Sequence, residues 1–138
     1  MSALSKTAVS LRFFGDDLNP DEVTQLLGKE PDKAERRGDV RSRGYTVRRG
    51  IWSVRAGDCT PGDLDGQIAE LLAGMTNDLA VWQRLASVYQ ADVFCGLFLE
   101  QNNEGISLSP QALQLLSERG IKLDFDIYAP DGEDEDKV

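Results

Sequence analysis

The pattern of apolar and polar residues predicts a strand near each end of the chain and a third strand before the last. In residues 8–14, every second side chain from Val9 onward is apolar, which is typical of a strand with one buried face. Residues 121–128 alternate in the same way from Ile121 onward. Residues 93–99 are apolar at nearly every position, so we expect a central strand that is buried on both faces.

Helix-start and helix-stop residues predict four helices between these strands. The Asn-Pro pair at 19–20 supplies an N-cap and a first helical residue, and Gly28 follows the last apolar residue of the helix. The Ser-Pro pair at 109–110 opens a later helix in the same way. Residues 60–63 and 76–77 are expected to start two more, since apolar residues then recur at helical spacing.

The region after the first helix has a less regular pattern. Residues 29–44 are polar and nearly free of apolar side chains, so we expect a long loop or a mobile segment. Residues 45–54 regain strand character, but their apolar positions change parity, since Val47 is odd-numbered and Trp52 is even-numbered. A bulge or tight turn at Gly50 restores a common apolar face.

The resulting order of elements is β-α-β-α-α-β-α-β. It predicts an α+β fold with a mainly antiparallel sheet, helices on one face and a ferredoxin-like (βαβ-type) arrangement. A chain of 138 residues fits one domain, which we place at residues 1–130. Residues 131–138 hold five acids and no large apolar residue before the terminal valine, so we expect a disordered acidic tail there.

Charge is distributed unevenly along the chain. The net charge of −9 argues against a nucleic-acid partner, because phosphate contacts need clustered lysines and arginines. Residues 29–55 nevertheless hold nine basic and four acidic residues, so this segment carries +5 and the remainder −14. No stretch resembles a membrane span or a secretory signal, so we expect a cytoplasmic protein without a membrane partner.

The basic segment is the candidate binding site. Arginine suits bidentate capture of a carboxylate or a phosphate, and core packing does not explain so many arginines among so few apolar residues. The residues expected to contact a ligand or partner are Arg36, Arg37, Arg41, Arg43, Arg48, Arg49 and Trp52. Two alternatives stay open: the arginines are solvated or pair with acids elsewhere in the chain, and Trp52 belongs to the core.

Groups that carry catalysis or bind metals are scarce. The chain has no histidine, which excludes serine-histidine and cysteine-histidine nucleophile pairs and removes the commonest general base. The two cysteines, Cys59 and Cys95, are too few for a disulfide framework or a cysteine-only zinc site. We therefore expect no catalytic residues, no metal, no cofactor and no enzymatic activity.

One pair of acids offers an alternative to that expectation. Asp124 and Asp126 project from the same face of the last predicted strand, at a spacing that suits a divalent cation or acid-base chemistry. The competing interpretation, which we favour, pairs them across strands with the outward Arg12 or Arg55.

Six short motifs follow one another along the chain. They are Leu18-Asn19-Pro20-Asp21-Glu22-Val23, Leu27-Gly28-Lys29-Glu30-Pro31, Gly38-Asp39, Gly50-Ile51-Trp52, Leu108-Ser109-Pro110 and Asp126-Ile127-Tyr128. Their order resembles the bacterial family catalogued as domain of unknown function 4279, over roughly residues 8–128. The resemblance implies a compact single domain with no established activity, and it offers no catalytic residues to carry over.

These features together favour a binding function. The first hypothesis is a non-catalytic protein-binding module of an immunity or regulatory type, because an acidic surface can recognise a basic protein partner. The alternative is a sensor or binding domain for an anionic small molecule, which uses the arginine-rich segment. The sequence is compatible with either a monomer or a homodimer.

Overall fold

The computed structural model of the protein describes residues 2–130, which form seven strands and four helices. In chain order they are β1 (Ser2–Ala3), β2 (Lys6–Gly15), α1 (Pro20–Leu27), β3 (Lys33–Glu35), β4 (Gly50–Arg55), α2 (Leu64–Ala73), α3 (Leu79–Val88), β5 (Gln90–Phe98), β6 (Glu104–Gly105), α4 (Pro110–Arg119) and β7 (Lys122–Tyr128). The predicted acidic tail, residues 131–138, lies outside the described residues. Within residues 2–130, no helix is long and apolar enough to cross a membrane.

Five of the strands form one mixed sheet in the order β3-β4-β2-β5-β7. The first three pairings are antiparallel, whereas β5 and β7 are parallel and are connected through α4. A crossover helix returns the chain in the same direction, so the sheet of this α+β fold is mixed rather than antiparallel throughout. The predicted ferredoxin-like arrangement is not confirmed. Strands β1 and β6 pair in parallel as a separate short ribbon.

Capping residues set the helix boundaries. The Asn19 side chain accepts a hydrogen bond from a backbone N–H of the first turn of α1, and Pro20 occupies the first position, as predicted. Gly28 ends α1 in the left-handed conformation, which glycine adopts without steric cost. Helix α2 begins later than predicted, because the side chain that accepts from its first turn is Asp63 and not Thr60.

All four helices pack on one face of the sheet, which we call the covered face. On β2, the side chains of Val9, Leu11 and Phe13 point to this face and are at most 1% exposed. Trp52 of β4 lies opposite Phe13, with the ring centroids 5.8 Å apart. The helices complete the core with Val23, Leu27, Leu64, Ile68, Leu71, Leu72, Trp82, Leu85, Ala112 and Leu116. The other face is not covered by any helix of residues 2–130, and we call it the open face.

The polar segment before β4 is largely a loop, as predicted, but it contains a short strand and a hydrogen-bonded hairpin. Residues 33–35 pair with β4 as the edge strand β3, and residues 38–47 turn back on themselves. Strand β4 begins only at Gly50, so the predicted bulge is wrong, and the chain instead bends at residues 48–49, immediately before the strand. The apolar positions change parity because residues 45–49 precede the strand. At Gly50 a Cβ atom would lie 3.1 Å from the Gly15 carbonyl oxygen, which leaves little room for another residue.

Candidate functional site

The basic segment of residues 29–55, which we call the arginine-rich segment, includes a small hairpin of residues 38–47 beside β3 and β4. The backbone N–H of Gly38 donates to the Val47 carbonyl at 2.9 Å, and the N–H of Val47 donates to the Asp39 carbonyl at 2.8 Å. Nearer the tip, the N–H of Arg41 donates to the Tyr45 carbonyl at 2.8 Å. Val47 is only 3% exposed and holds the hairpin against the rest of the fold. Arg41 and Arg43 therefore project from a hydrogen-bonded hairpin backbone.

Arg36 and Arg37 point away from the hairpin, towards the start of α1. Arg36 donates to the Asn19 side-chain oxygen at 2.9 Å and to the Asp21 carboxylate at 3.1 Å. Arg37 lies 3.3 Å from the Asp17 carboxylate. The charged groups of both pairs are at least half exposed. These two arginines thus follow the alternative interpretation, in which the basic residues pair with acids of the same chain.

Arg41 forms a bidentate ion pair within the same region. Its Nε and Nη2 atoms each lie 2.7 Å from an oxygen of the Glu35 carboxylate, and its guanidinium lies 4.8 Å from the centroid of the Tyr45 ring. These hydrogen bonds raise the pKa of Arg41 and lower the pKa of Glu35 below its ordinary value. Glu35 is therefore held in its ionised form, and Arg41 donates hydrogen bonds to both of its oxygens.

The hairpin and the open face of the sheet border a cleft of about 400 Å³, which we call the hairpin cleft. Its lining residues are Phe14, Lys33, Glu35, Arg41, Tyr45, Val47, Arg48, Arg49 and Ile51. Within residues 2–130, Lys33, Arg48 and Arg49 make no salt bridge, in contrast to Arg41. Three cations that form no salt bridge therefore line the cleft, together with the Glu35–Arg41 pair and four aromatic or apolar side chains. Arg49 donates a hydrogen bond to the Gln90 side chain, and the charge of Lys33 contributes to lowering the pKa of Glu35.

A second cleft of about 300 Å³, the Arg12 cleft, adjoins the first on the open face. Arg12 donates to both oxygens of the Asp92 carboxylate, at 2.9 and 2.7 Å, and these hydrogen bonds raise the pKa of Arg12. Its guanidinium also lies 4.2 Å from the ring centroid of Phe94 and 4.9 Å from that of Phe14. Phe14 and Arg49 line both clefts, so the two clefts adjoin each other, and we refer to them together as the groove.

Asp124 extends this charged cluster onto β7. The Nζ atom of Lys122 lies 3.6 Å from its carboxylate. The neighbouring side chain of Asp92 and the positive charges of Lys122 and Arg12 keep the pKa of Asp124 below its ordinary value. The predicted pairing of Asp124 with Arg12 is therefore wrong, because the register between β2 and β5 brings Asp92 to Arg12, and Asp124 instead lies beside Lys122 of its own strand.

Asp126 has separate partners, so the two acids of β7 do not form a joint site. The Tyr128 hydroxyl donates to its carboxylate at 2.6 Å, and this hydrogen bond raises the pKa of Tyr128. Arg55, the other predicted partner of these acids, instead lies 3.1 Å from Asp58. Within residues 2–130, no three cysteine, aspartate or glutamate side chains are grouped to hold a metal ion.

Four of the predicted contact residues lie outside both clefts, namely Arg36, Arg37, Arg43 and Trp52. Trp52 is fully buried, and its expected contact with a ligand is wrong because β4 directs this side chain to the covered face. Arg43 is exposed at the hairpin tip, where it has no partner among the described residues. Of the seven predicted residues, the structure brings Arg41, Arg48 and Arg49 together.

The cysteines contribute no reactive group to the groove. Cys95 lies on β5 with its side chain buried on the covered face. Burial raises the pKa of its thiol to about 12, which suppresses the nucleophilic thiolate. Cys59 is partly exposed and lines neither cleft.

Several groove residues were missed in the sequence, among them Phe14, Lys33 and Asp92. The position of Phe14 could be predicted, because the alternation of β2 places it on the outward face together with Arg12. The position of Asp92 could not be predicted, since its place beside Arg12 depends on the register between β2 and β5. That register is a long-range pairing, which the pattern of a single strand does not contain.

Comparison with protein-family models gives a match over nearly the whole chain. The model described as a domain of unknown function (DUF4279) matches residues 5–130, in agreement with the resemblance of the motif order. No curated protein and no solved structure matches the chain.

Proposed function

The chain belongs to the DUF4279 family, a family described as being of unknown function, and we propose that it is a non-catalytic binding domain for an anionic ligand. The hairpin cleft is the proposed site. The observation that carries the proposal is the placement of Lys33, Arg48 and Arg49 in one cleft, where none of the three has a salt bridge within residues 2–130.

These three cations differ from several arginines of the arginine-rich segment in having no salt bridge within residues 2–130. Arg36, Arg37 and Arg41 are neutralised by acids of the chain at 2.7 to 3.3 Å. The arginine-rich segment is therefore not uniformly solvated. Of its described cations without a salt bridge, three line the cleft, whereas Arg43 lies at the hairpin tip. Arginine binds carboxylates and phosphates with directed hydrogen bonds, so an anionic group of a ligand is the complementary partner.

The other lining residues indicate what the anionic group is attached to. Phe14, Tyr45 and Ile51 line the same cleft, and its volume of about 400 Å³ lies within the range of small-molecule sites. The guanidinium of Arg49 also lies 5.1 Å from the ring centroid of Phe14, so the charged and aromatic groups adjoin each other. We infer a small molecule with a phosphate or carboxylate on an aromatic or apolar body.

The proposal of binding without catalysis is supported by the state of the carboxylate in the cleft. Glu35 is bound by Arg41 through two hydrogen bonds, and its pKa is lowered. A general base that works near neutral pH needs a carboxylate whose pKa is raised. The chain also has no histidine, so the hairpin cleft offers groups that hold an anion and neither a histidine nor a carboxylate suited to act as a general base.

A second candidate function, binding of a protein partner, is favoured by a different part of the molecule. Strand β7 forms an edge of the sheet, and the apolar side chains of Phe125 and Ile127 are exposed there. Exposed apolar side chains on an unpaired strand edge are features of protein-binding surfaces. An immunity or regulatory role for such binding stays a prediction.

Thermal unfolding in the presence of phenyl phosphate tests the anion site. Inorganic phosphate and phenol, which represent the two parts of this molecule, serve as controls. Phenyl phosphate at a hundredfold excess over its dissociation constant is expected to stabilise the protein by about 2.7 kcal/mol. Phosphate alone should stabilise less, and phenol should have no effect. Added salt should weaken the response, because the attraction is between charges.

Matched arginine variants locate the site. Arg48→Gln combined with Arg49→Gln should abolish the response to phenyl phosphate, whereas Arg43→Gln should leave it unchanged, because Arg43 lines neither cleft. Equal responses in the wild type and the Arg48/Arg49 variant would contradict the proposal. So would stabilisation by phenol alone, which would indicate an apolar site and not an anion site.

A further inference from the structure

The two edge strands of the sheet differ in length and in what adjoins their outer sides. Strand β3, at one edge, has only three residues and continues into the hairpin. Strand β7, at the other edge, has seven residues, and no strand of residues 2–130 pairs with its outer side. A long unpaired edge is a template for another strand, which natural proteins usually shorten, cover or block.

The backbone groups on the outer side of β7 can be assigned from one hydrogen bond. The backbone N–H of Leu99 donates to the Tyr128 carbonyl at 3.1 Å, so Tyr128 directs its backbone groups towards β5. Successive residues of a strand direct their N–H and C=O groups to opposite sides. The backbone groups of Leu123, Phe125 and Ile127 therefore point outward from the sheet edge, where they are free to pair.

The side chains beside this edge have a definite chemical pattern. On the covered-face side of β7, Phe125 is 46% exposed and Ile127 is 63% exposed, so helix α4 does not shield them. On the open-face side, the carboxylates of Asp124 and Asp126 are only partly buried. The edge thus presents two acids on its open-face side, with Lys122 at the start of the strand 3.6 Å from Asp124, and apolar groups on its covered-face side.

We propose that β7 receives an extended segment of a partner protein as a sixth strand, in which basic residues alternate with apolar ones. In this arrangement the basic side chains lie beside Asp124 and Asp126 on the open face. The apolar side chains lie beside Phe125 and Ile127, where they extend the core past α4. Opposite charges and apolar pairs on neighbouring strands both stabilise a sheet. The backbone pairing supplies affinity and the alternating side chains supply specificity.

A second copy of the same chain is a poorer match to this edge. A two-fold dimer pairs identical edge strands antiparallel about an axis on the strand. An axis through Asp124, Phe125 or Asp126 places two aspartates opposite each other. An axis through Leu123 or Ile127 avoids this contact, but it pairs only about three residues of each β7, whereas a partner strand can pair along the whole of Lys122–Tyr128. Like charges directly opposite each other destabilise a sheet, so the acids favour a basic partner over self-association.

This inference does not rest on the anion site, because β7 and the hairpin lie at opposite edges of the sheet. Calorimetric titration with synthetic peptides of about eight residues, the length of a common strand, tests it. A peptide with alternating lysine and valine should bind. A peptide of the same composition with its lysines grouped before its valines should bind at least about tenfold more weakly, and so should an alternating glutamate-valine peptide. Equal affinity of the alternating and grouped lysine peptides would overturn the proposal.

Backbone methylation of the peptide distinguishes strand pairing from simple charge attraction and leaves the protein unchanged. In an antiparallel addition the valine amides face β7, and in a parallel addition the lysine amides face it. N-methylation of the amides that face β7, either the valine or the lysine amides, should therefore weaken binding at least about tenfold. Methylation of the amides that face away should have little effect. If both methylated peptides bind like the parent peptide, strand addition is excluded.

A matched pair of protein variants places the peptide on β7. Ile127→Lys adds a charge at the edge, and Val88→Lys adds the same charge on α3 at a side chain of nearly equal exposure, 63% against 64%. Only Ile127→Lys should weaken binding of the lysine-valine peptide, and Arg48→Gln with Arg49→Gln should leave it intact. Equal binding to the two lysine variants, each shown by circular dichroism to be folded, would rule out β7 as the site.

Discussion

The covered and open faces of the sheet are built from the same strands and differ in nearly every property. On the covered face, Leu11, Phe13 and Val93 are completely buried against the helices. On the open face, their chain neighbours Arg12 and Asp92 form a charged pair that opens onto a cleft. The alternation of side chains along a strand brings these two environments within one residue of each other.

The difference indicates how the chain separates stability from recognition. The covered face buries apolar area, which is the main favourable contribution to folding. The open face holds charged and aromatic side chains that no helix covers, and those side chains are available for binding. Changes on the two faces should therefore have different consequences, and their sizes should follow the depth of burial.

The largest effect is expected from the covered face, at Trp52. Trp52→Ala removes a completely buried indole that packs edge-to-face on Phe13, and should lower the free energy of unfolding by about 3–5 kcal/mol. Urea unfolding followed by circular dichroism measures this loss. The control on the open face is Phe94→Ala, which removes a ring that is only partly buried and should cost about 1 kcal/mol. Equal losses at the two positions would contradict the separation of the faces.

A smaller loss of unfolding free energy is expected at the partly buried ion pair of the open face, Arg12 with Asp92. Arg12→Leu leaves the Asp92 carboxylate, 6% exposed, without its bidentate partner and close to Asp124. The expected loss is about 2 kcal/mol, below the 3–5 typical of a fully buried pair, because Arg12 remains partly in solvent.

A double-mutant cycle separates the pair from its surroundings. The combined change Arg12→Leu and Asp92→Leu should cost less than the sum of the two single changes by at least about 1 kcal/mol, since no buried charge is left unpaired. Urea unfolding of the four proteins measures this coupling. Additive losses would show that Arg12 and Asp92 stabilise the fold independently.

Local patterns were sufficient to predict much of the fold. The caps at Asn19 and Ser109 and the alternation of β2 and β7 each depend on residues close together in the chain, and these elements are found. The parallel pairing of β5 with β7 was not predicted, because strand order is decided by contacts between distant residues. The same limit explains why Asp92 was missed while Phe14 was visible in the alternation.

The arginine-rich segment shows where composition alone misleads. Its excess positive charge suggested one continuous binding surface, but Arg36 and Arg37 pair with acids next to α1, whereas Arg48 and Arg49 line the cleft. The acids that neutralise the first pair precede them by 15 to 20 residues, and the turn of the chain brings them close. Net charge does not record such pairings.

The smallest effect is therefore expected at Arg36 and Arg37, although both belong to the same basic segment. Arg36→Gln combined with Arg37→Gln removes ion pairs whose charged groups are 50% to 91% exposed. Exposed pairs contribute little, so the free energy of unfolding should change by less than about 1 kcal/mol. Stabilisation by phenyl phosphate should also persist, because neither arginine lines the hairpin cleft. Urea unfolding and thermal shift measure the two quantities on the same sample. If the variant stays folded but no longer responds to phenyl phosphate, the anion site lies beside α1, and the contrast between the two halves of the arginine-rich segment is reversed.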